Sequence, residues 1–116
     1  MNLALAKDIA NAADDKKARD IVILDIASIS PVTDYFIICS ASSDTQTKAI
    51  ADNIEEKLAE KDILPLHKEG YREGHWVLLD YGDAIVHIFL EEERQFYNLE
   101  KLWSDAKPVE FECAPQ

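Results

Sequence analysis

The chain has 116 residues, the length of one domain with a single buried core. Its formal net charge of −11 at pH 7 disfavours direct, sequence-specific binding to nucleic acid, because such binding depends on Lys and Arg contacts to phosphates. The charge either favours a basic protein partner or only keeps the protein soluble, and no segment reaches the roughly 20 apolar residues of a membrane helix.

The first three predicted elements are a helix and two strands. Apolar residues recur at helical spacing from Leu3 to about Lys17, which predicts a helix. This N-terminus is amphipathic and acidic, and it lacks the basic start and the continuous apolar run of a signal peptide. We therefore expect a cytoplasmic location. The β-branched run from Ile21 to Ile26 predicts a buried strand, and Tyr35 to Ser40 predicts a second one.

A second helix and a third strand follow. Ser43 and Gln46 are three residues apart, which fits a capping box at the start of a helix that runs to about Lys61. The apolar stripe of this helix has the spacing i, i+4 and i+8. Residues Pro65 to Lys68 then predict a short strand that is closed by glycines.

Strands four and five form a predicted β-hairpin whose two-residue turn is Gly82-Asp83. The turn fixes the register, so one apolar face pairs Tyr81 with Ala84, Leu79 with Val86, and Val77 with Ile88. The other face is mixed and pairs Asp80 with Ile85, Leu78 with His87, and Trp76 with Phe89. We expect the first face on the core and the second under either a helix or a partner.

The last predicted element is a helix from Glu92 to Trp103 that carries a stripe of apolar and aromatic residues. Residues 1–107 are therefore predicted to form a single α/β domain, with a mixed β-sheet flanked by helices. Residues 108–116 contain two prolines and are predicted to be an irregular C-terminal tail.

No pattern in the sequence predicts a catalytic or metal site. Structural zinc sites need paired ligands a few residues apart, and neither the histidines nor Cys39 and Cys113 supply such pairs. Cys39 lies inside an apolar strand and is typical of a small buried residue. We interpret His87 as a surface or interface histidine rather than a general base. We expect no cofactor and no metal.

The segment from Trp76 to Trp103 carries more aromatic surface than a small core requires. Interface cores are enriched in Trp, Tyr and Arg and have charged rims, and Trp76, Tyr97, Trp103 and Arg94 fit that pattern. The segment has six acidic and two basic side chains, which would suit a basic partner. From the residues alone, a protein interface and a core with a solvated rim remain equally open.

This segment resembles the ribosomal silencing factor family, also called the Iojap-related proteins. The resemblance depends on the Trp-led strand, the turn Asp80-Tyr81-Gly82-Asp83, the strand Val86-His87-Ile88-Phe89, and the residues Arg94, Phe96, Tyr97, Leu99, Glu100, Leu102 and Trp103. The strand that ends at Asp25 and the run from Thr33 to Ile38 support it.

The resemblance implies a non-enzymatic factor with a nucleotidyltransferase-like fold that lacks the active site. Such factors dock on large-subunit ribosomal protein fourteen and block subunit joining, which represses translation when nutrients are scarce. A mitochondrial relative acts instead in large-subunit assembly. The resemblance assigns partner binding to Trp76, Leu78, Asp80, Tyr81, Asp83, Arg94, Tyr97, Leu99, Glu100 and Trp103.

Two other hypotheses stay open at this stage. The fold likeness, together with Asp25, Asp34 and Asp80, would fit a metal-dependent nucleotidyltransferase, although no strand carries an Asp-x-Asp pair. The mixed hairpin face could alternatively pair with itself, which would make the free protein a homodimer.

Overall fold

The computed structural model describes residues 3–28, 31, 33–93 and 107–109. Within these ranges the chain forms two helices and six strands, in the order α1 (Leu3–Asp15), β1 (Arg19–Asp25), β2 (Tyr35–Ala41), α2 (Asp44–Ala59), β3 (His67–Glu69), β4 (Trp76–Asp80), β5 (Ala84–Leu90) and β6 (Lys107–Val109). The predicted elements up to β5 are confirmed, with ends that shift by one to a few residues.

All six strands join one sheet, in the order β3-β4-β5-β2-β1-β6. Strands β2 and β5 are parallel, and every other neighbouring pair is antiparallel. The mixed sheet of the predicted α/β domain is therefore confirmed.

Strand β6 corrects the expectation of an irregular tail after residue 107. Pro108 pairs with Leu24 and Val109 pairs with Ile23, at the edge of the sheet. A proline is tolerated there because an edge strand needs hydrogen bonds on one side only. The predicted tail is thus wrong for residues 108 and 109, whereas residues 110–116 lie outside the described part of the chain.

Both described helices pack on the same face of the sheet. The apolar stripes of α1 and α2, which include Ile9 and Ile54, meet the inward side chains of Ile37, Val86 and Ile88 in one core cluster. Each of these five side chains is fully buried. Burial of one such side chain contributes about 1.5–3 kcal/mol, so this cluster stabilises the packing of both helices on the sheet.

The capping interaction at the start of α2 also holds the two helices together. Ser43 Oγ accepts a hydrogen bond from the Gln46 amide at 3.1 Å, as predicted, while Gln46 Oε1 accepts from the Ser42 amide at 2.8 Å instead of from Ser43. Gln46 Nε2 donates to the carbonyl oxygens of Lys16 at 3.1 Å and Lys17 at 3.0 Å. One side chain therefore caps α2 and binds the end of α1.

The hairpin has the predicted register. Trp76 lies opposite Phe89, Leu78 opposite His87, and Asp80 opposite Ile85. Gly82 adopts a φ of 87°, which favours glycine, and the Asp80 carboxylate accepts a hydrogen bond from the Gly82 amide at 2.8 Å. The turn therefore sets which residues of β4 face away from the helices.

Candidate docking surface

The side chains of β4 alternate between the two faces of the sheet. Val77 and Leu79 face the helices and are fully buried, whereas Trp76 and Leu78 face the other way and are half-buried. The second face thus leaves part of an indole ring and part of a leucine side chain accessible, side by side on one strand.

An aromatic cluster fixes the position of Trp76. Its indole Nε1 donates a hydrogen bond to His87 Nδ1 at 3.1 Å, and its ring stacks on Phe89 with the ring centroids 4.9 Å apart. Phe36 meets the His87 ring edge-on, with a centroid distance of 4.8 Å. Trp76 is therefore held in one orientation before any partner arrives.

His87 is buried, so the expectation of a surface histidine is wrong. Its side chain lies among three aromatic rings and the residue is only 5% exposed. Burial lowers the pKa of His87 to about 4, so the ring is neutral at pH 7. Because Nδ1 accepts from Trp76, the proton of the neutral ring lies on Nε2, which has no hydrogen-bond partner among the described residues. Such a ring accepts the indole hydrogen bond and thereby orients Trp76.

The apolar residues around this cluster form a second core layer. Leu24, Ile26, Ile38 and Phe89 are buried on this side of the sheet, and Val22, Trp76 and Leu78 are the partly buried members. Neither α1 nor α2 contributes a residue to this layer. Trp76 and Leu78 therefore pack on buried residues of this layer while part of each side chain stays exposed, as is typical of anchor residues in protein interfaces.

Two carboxylates lie at the turn end of this strand pair. Asp80 is half-buried with one oxygen bound to the turn, while Asp83 has an exposed side chain. The backbone carbonyl of Asp83 accepts hydrogen bonds from the amides of Asp34 and Tyr35, both at 3.2 Å. The turn is thereby attached to β2, and the Asp83 carboxylate is presented to solvent.

Tyr81 does not fit the docking role that the resemblance assigned to it. Its side chain belongs to the helix-side core and the residue is 8% exposed. Burial, with a smaller contribution from the Glu55 carboxylate, raises the pKa of its hydroxyl. The conformation of the strand places this tyrosine on the side away from Trp76 and Leu78.

Five of the assigned partner-binding residues, Arg94, Tyr97, Leu99, Glu100 and Trp103, lie outside the described residues, as does most of the predicted helix from Glu92 to Trp103. Among the described residues, the candidate docking surface therefore consists of Trp76, Leu78, Asp80 and Asp83.

The three aspartates of the nucleotidyltransferase hypothesis lie at the same end of the sheet, although β2 and β5 separate Asp25 from Asp80. The end of β1 lies beside the start of β2, and the start of β2 lies beside the start of β5. The end of β4 lies on the other side of β5. However, Asp25 accepts a hydrogen bond from the Ala27 amide at 3.1 Å, and Asp80 is bound to the turn. Within the described ranges, no three His, Cys, Asp or Glu side chains are grouped so that they could hold a metal ion. The described residues do not form the carboxylate arrangement of a two-metal site.

Sequence reasoning missed two exposed leucines at this same end of the molecule. Leu64 is 69% exposed and Leu66 is 66% exposed. Pro65 and Leu66 are predicted to begin the third strand, but the observed strand β3 begins at His67, so the segment Leu64-Pro65-Leu66 lies just before it. Cys39, in contrast, is fully buried in β2 as predicted.

Comparison with known proteins identifies the family. The family described as RsfS, ribosomal silencing factor during starvation, matches residues 2–116. The chain belongs to this family. No helix in the described part of this RsfS-family chain is long and apolar enough to cross a membrane.

Several relatives in the RsfS family cover nearly the whole chain. The ribosomal silencing factor RsfS of Bacillus subtilis is 50% identical over 103 residues, which are 89% of this chain and 87% of that protein. The RsfS of Halalkalibacterium halodurans is 45% identical over 96% of this chain and 95% of its own length. A more distant relative, named mitochondrial assembly of ribosomal large subunit protein 1, from Mus musculus, is 30% identical over 77% of this chain and 40% of its own length.

Solved structures confirm the fold class. A protein of Chromobacterium violaceum superimposes with a TM-score of 0.87 at 33% identity, over 94% of this chain and 91% of that one. A protein of Bacillus halodurans superimposes with a TM-score of 0.80 at 44% identity, over 94% and 96% of the two chains.

Proposed function

We propose that this RsfS-family chain docks on the large ribosomal subunit through large-subunit ribosomal protein fourteen and sterically blocks subunit joining. Translation then falls when nutrients are scarce. The observation that carries the proposal is the family match along residues 2–116, together with relatives named ribosomal silencing factor.

The geometry of β4 supports docking through one face. Trp76 is oriented by its hydrogen bond to His87 and by its stack on Phe89, so little side-chain entropy is lost when a partner covers it. Leu78 extends the apolar surface on the same side of the strand. Trp is among the residues that contribute most binding energy in protein interfaces, so Trp76 is the proposed anchor.

The charge of the chain supports a basic partner. Asp83 is exposed at the end of the docking surface, and the whole protein carries a net charge of −11. Ribosomal proteins are basic, so complementary charge would speed the encounter and align the two surfaces.

Steric occlusion needs affinity and bulk rather than chemistry. We accordingly propose a non-enzymatic factor that uses no cofactor and acts in the cytoplasm, where ribosomal subunits join. The turn-bound carboxylates of Asp25 and Asp80 are consistent with this role, because both already serve the local fold.

Large-subunit assembly is the second candidate function. It is favoured by the printed name of the Mus musculus relative, which refers to assembly of the mitochondrial large subunit. The same docking surface would serve both roles. They differ in the form of the large subunit that is bound, which is an immature precursor in assembly and a mature subunit in silencing.

Sedimentation through a sucrose gradient with purified large and small subunits tests the proposal. We expect the protein to travel with the large subunit and to prevent whole ribosomes from forming. Trp76→Ala should stay at the top of the gradient, and Tyr71→Ala, a half-buried aromatic that is hydrogen-bonded to Asp52 on the helix side, should behave like the wild type. A wild-type protein that stays at the top would refute docking. Binding only to precursor particles would favour assembly.

A further inference from the structure

Leu64 and Leu66 are the most exposed large apolar side chains among the described residues. They precede β3, a three-residue strand at the edge of the sheet in which every residue is exposed. Single exposed leucines are common on protein surfaces, but two of them within three residues, just before an open sheet edge, mark a candidate interaction site.

Leu66 is held in place by the hairpin turn. Its amide donates a hydrogen bond to the carbonyl oxygen of Asp80 at 2.7 Å. Its side chain lies above Gly82, since a Cβ added to that glycine would be 3.4 Å from Leu66 Cδ1. Leu66 is therefore exposed although its backbone is fixed to the end of β4. Leu64 precedes it by two residues in the same segment.

Two exposed carboxylates flank these leucines, because Asp62 precedes Leu64 by two residues and Asp83 follows Gly82, which Leu66 contacts. The two nearby lysines are committed elsewhere, because Lys61 pairs with Asp8 at 2.6 Å and Lys68 pairs with Glu55 at 2.7 Å. The carboxylates of Asp62 and Asp83 form no such ion pair among the described residues. An incoming cation would thus meet carboxylates without local competition.

We infer that Leu64, Leu66, Asp62 and Asp83 form a second docking surface, the leucine–aspartate edge, for a segment of another protein in which apolar side chains adjoin Lys or Arg. In this surface the leucines would pack against the apolar side chains of the partner segment, and the carboxylates would form ion pairs with its Lys or Arg side chains. A second copy of this chain is a poor occupant, because two acidic edges would repel each other. The inference goes beyond the proposed function, because Leu64, Leu66 and Asp62 are not part of the first surface. Asp83 is the one residue that the two surfaces share, and the proposed anchor Trp76 lies four residues from Asp80 along β4, a distance of ~13 Å.

An amide NMR titration of the full chain tests this surface with a defined probe. The probe is a short peptide of alternating Lys and Leu, and its matched control alternates Lys and Ser at the same charge. We expect the Lys-Leu peptide to shift the amide signals of Leu64, Leu66, Gly82 and Asp83, and to bind about tenfold more tightly than the Lys-Ser peptide.

Variants separate the two contributions. Leu64→Ser combined with Leu66→Ser should lower the affinity for the Lys-Leu peptide about tenfold, and Asp83→Asn should lower it severalfold. Glu56→Gln removes the same charge from an exposed position on α2 and should change nothing. Equal binding of both peptides, or unchanged binding by the double variant, would overturn the inference. So would a dimer in light scattering that the double variant dissociates.

Discussion

The indole Nε1 of Trp76 donates a hydrogen bond to Nδ1 of His87, at 3.1 Å, across neighbouring strands. The two residues are not directly opposite, because His87 faces Leu78 and Trp76 faces Phe89. The bond is thus a diagonal contact that large side chains make between adjacent strands. It makes the position of the proposed anchor depend on a neutral histidine.

The first prediction concerns pH. The pKa of His87 is about 4 in the folded protein, against an ordinary value of 6.5 that applies to the unfolded chain. Below pH 6.5 the unfolded chain binds a proton that the folded chain does not, so the free energy of unfolding falls as the pH drops towards 4. The loss over this window is about 3 kcal/mol, and it should be measured by urea unfolding at several pH values.

Other groups also titrate in this window, so the histidine contribution needs matched variants. His87→Gln should flatten the pH dependence, while His67→Gln, at an exposed position in β3, should keep the wild-type slope. Equal slopes for both variants would show that His87 is not the cause.

The second prediction separates the shape of Trp76 from its hydrogen bond. Trp76→Phe keeps a ring that can stack on Phe89 but removes the donor to His87 Nδ1. An unpaired buried acceptor costs about 1–3 kcal/mol, so the free energy of unfolding should fall by that amount. Chemical denaturation measures it, and a variant as stable as the wild type would mean that the hydrogen bond adds nothing.

The third prediction uses two adjacent leucines of β4 that face opposite ways. Leu79 is fully buried under the helices, so Leu79→Ala should lower the free energy of unfolding by about 2–5 kcal/mol. Leu78 is half-buried on the proposed docking face, so Leu78→Ala should cost less stability and more affinity for the large subunit. Unfolding and co-sedimentation measure the two effects. A loss of binding in Leu79→Ala alone, under conditions where it is folded, would place the docking face on the wrong side.

The hairpin and its register could be predicted because local rules decide them. A two-residue turn at Gly82-Asp83 fixes the pairs, and the alternation of apolar residues fixes the faces. Strand β6 could not be predicted, because three residues that include Pro108 carry almost no strand signal and pair with a distant β1. The burial of His87 depends on Phe36 from β2, a contact between strands that no local pattern contains.

The same limit applies to the docking surface. The resemblance assigns partner binding to Trp76, Leu78, Asp80 and Asp83. The structure leaves the first three half-buried and Asp83 exposed, and their docking role stays a prediction. The resemblance assigns Tyr81 to partner binding, whereas the predicted hairpin register places its face on the core, and the structure agrees with the register.

The fourth prediction concerns Gln46, which joins the start of α2 to the turn that follows α1. Gln46→Ala removes the acceptor for the Ser42 amide and the donor to the carbonyls of Lys16 and Lys17. We expect the free energy of unfolding to fall by about 1–2 kcal/mol, the size of a lost cap and its associated hydrogen bonds. Thr45→Ala, at the exposed neighbouring position, is the control and should be close to neutral. Similar values for both would mean that the link between the helices contributes no stability.

The last prediction concerns the charge of the chain. If exposed carboxylates such as Asp83 steer the encounter with a basic ribosomal protein, the association rate should fall as the salt concentration rises, because a Debye length shrinks to about 8 Å at physiological ionic strength. Asp83→Lys should slow association and reduce its salt dependence, whereas Glu56→Lys, the same reversal at an exposed position on α2, should have a smaller effect. Stopped-flow measurements with the isolated ribosomal protein give both rates. An association rate that is unchanged between low and physiological salt would mean that the net charge of −11 serves solubility alone.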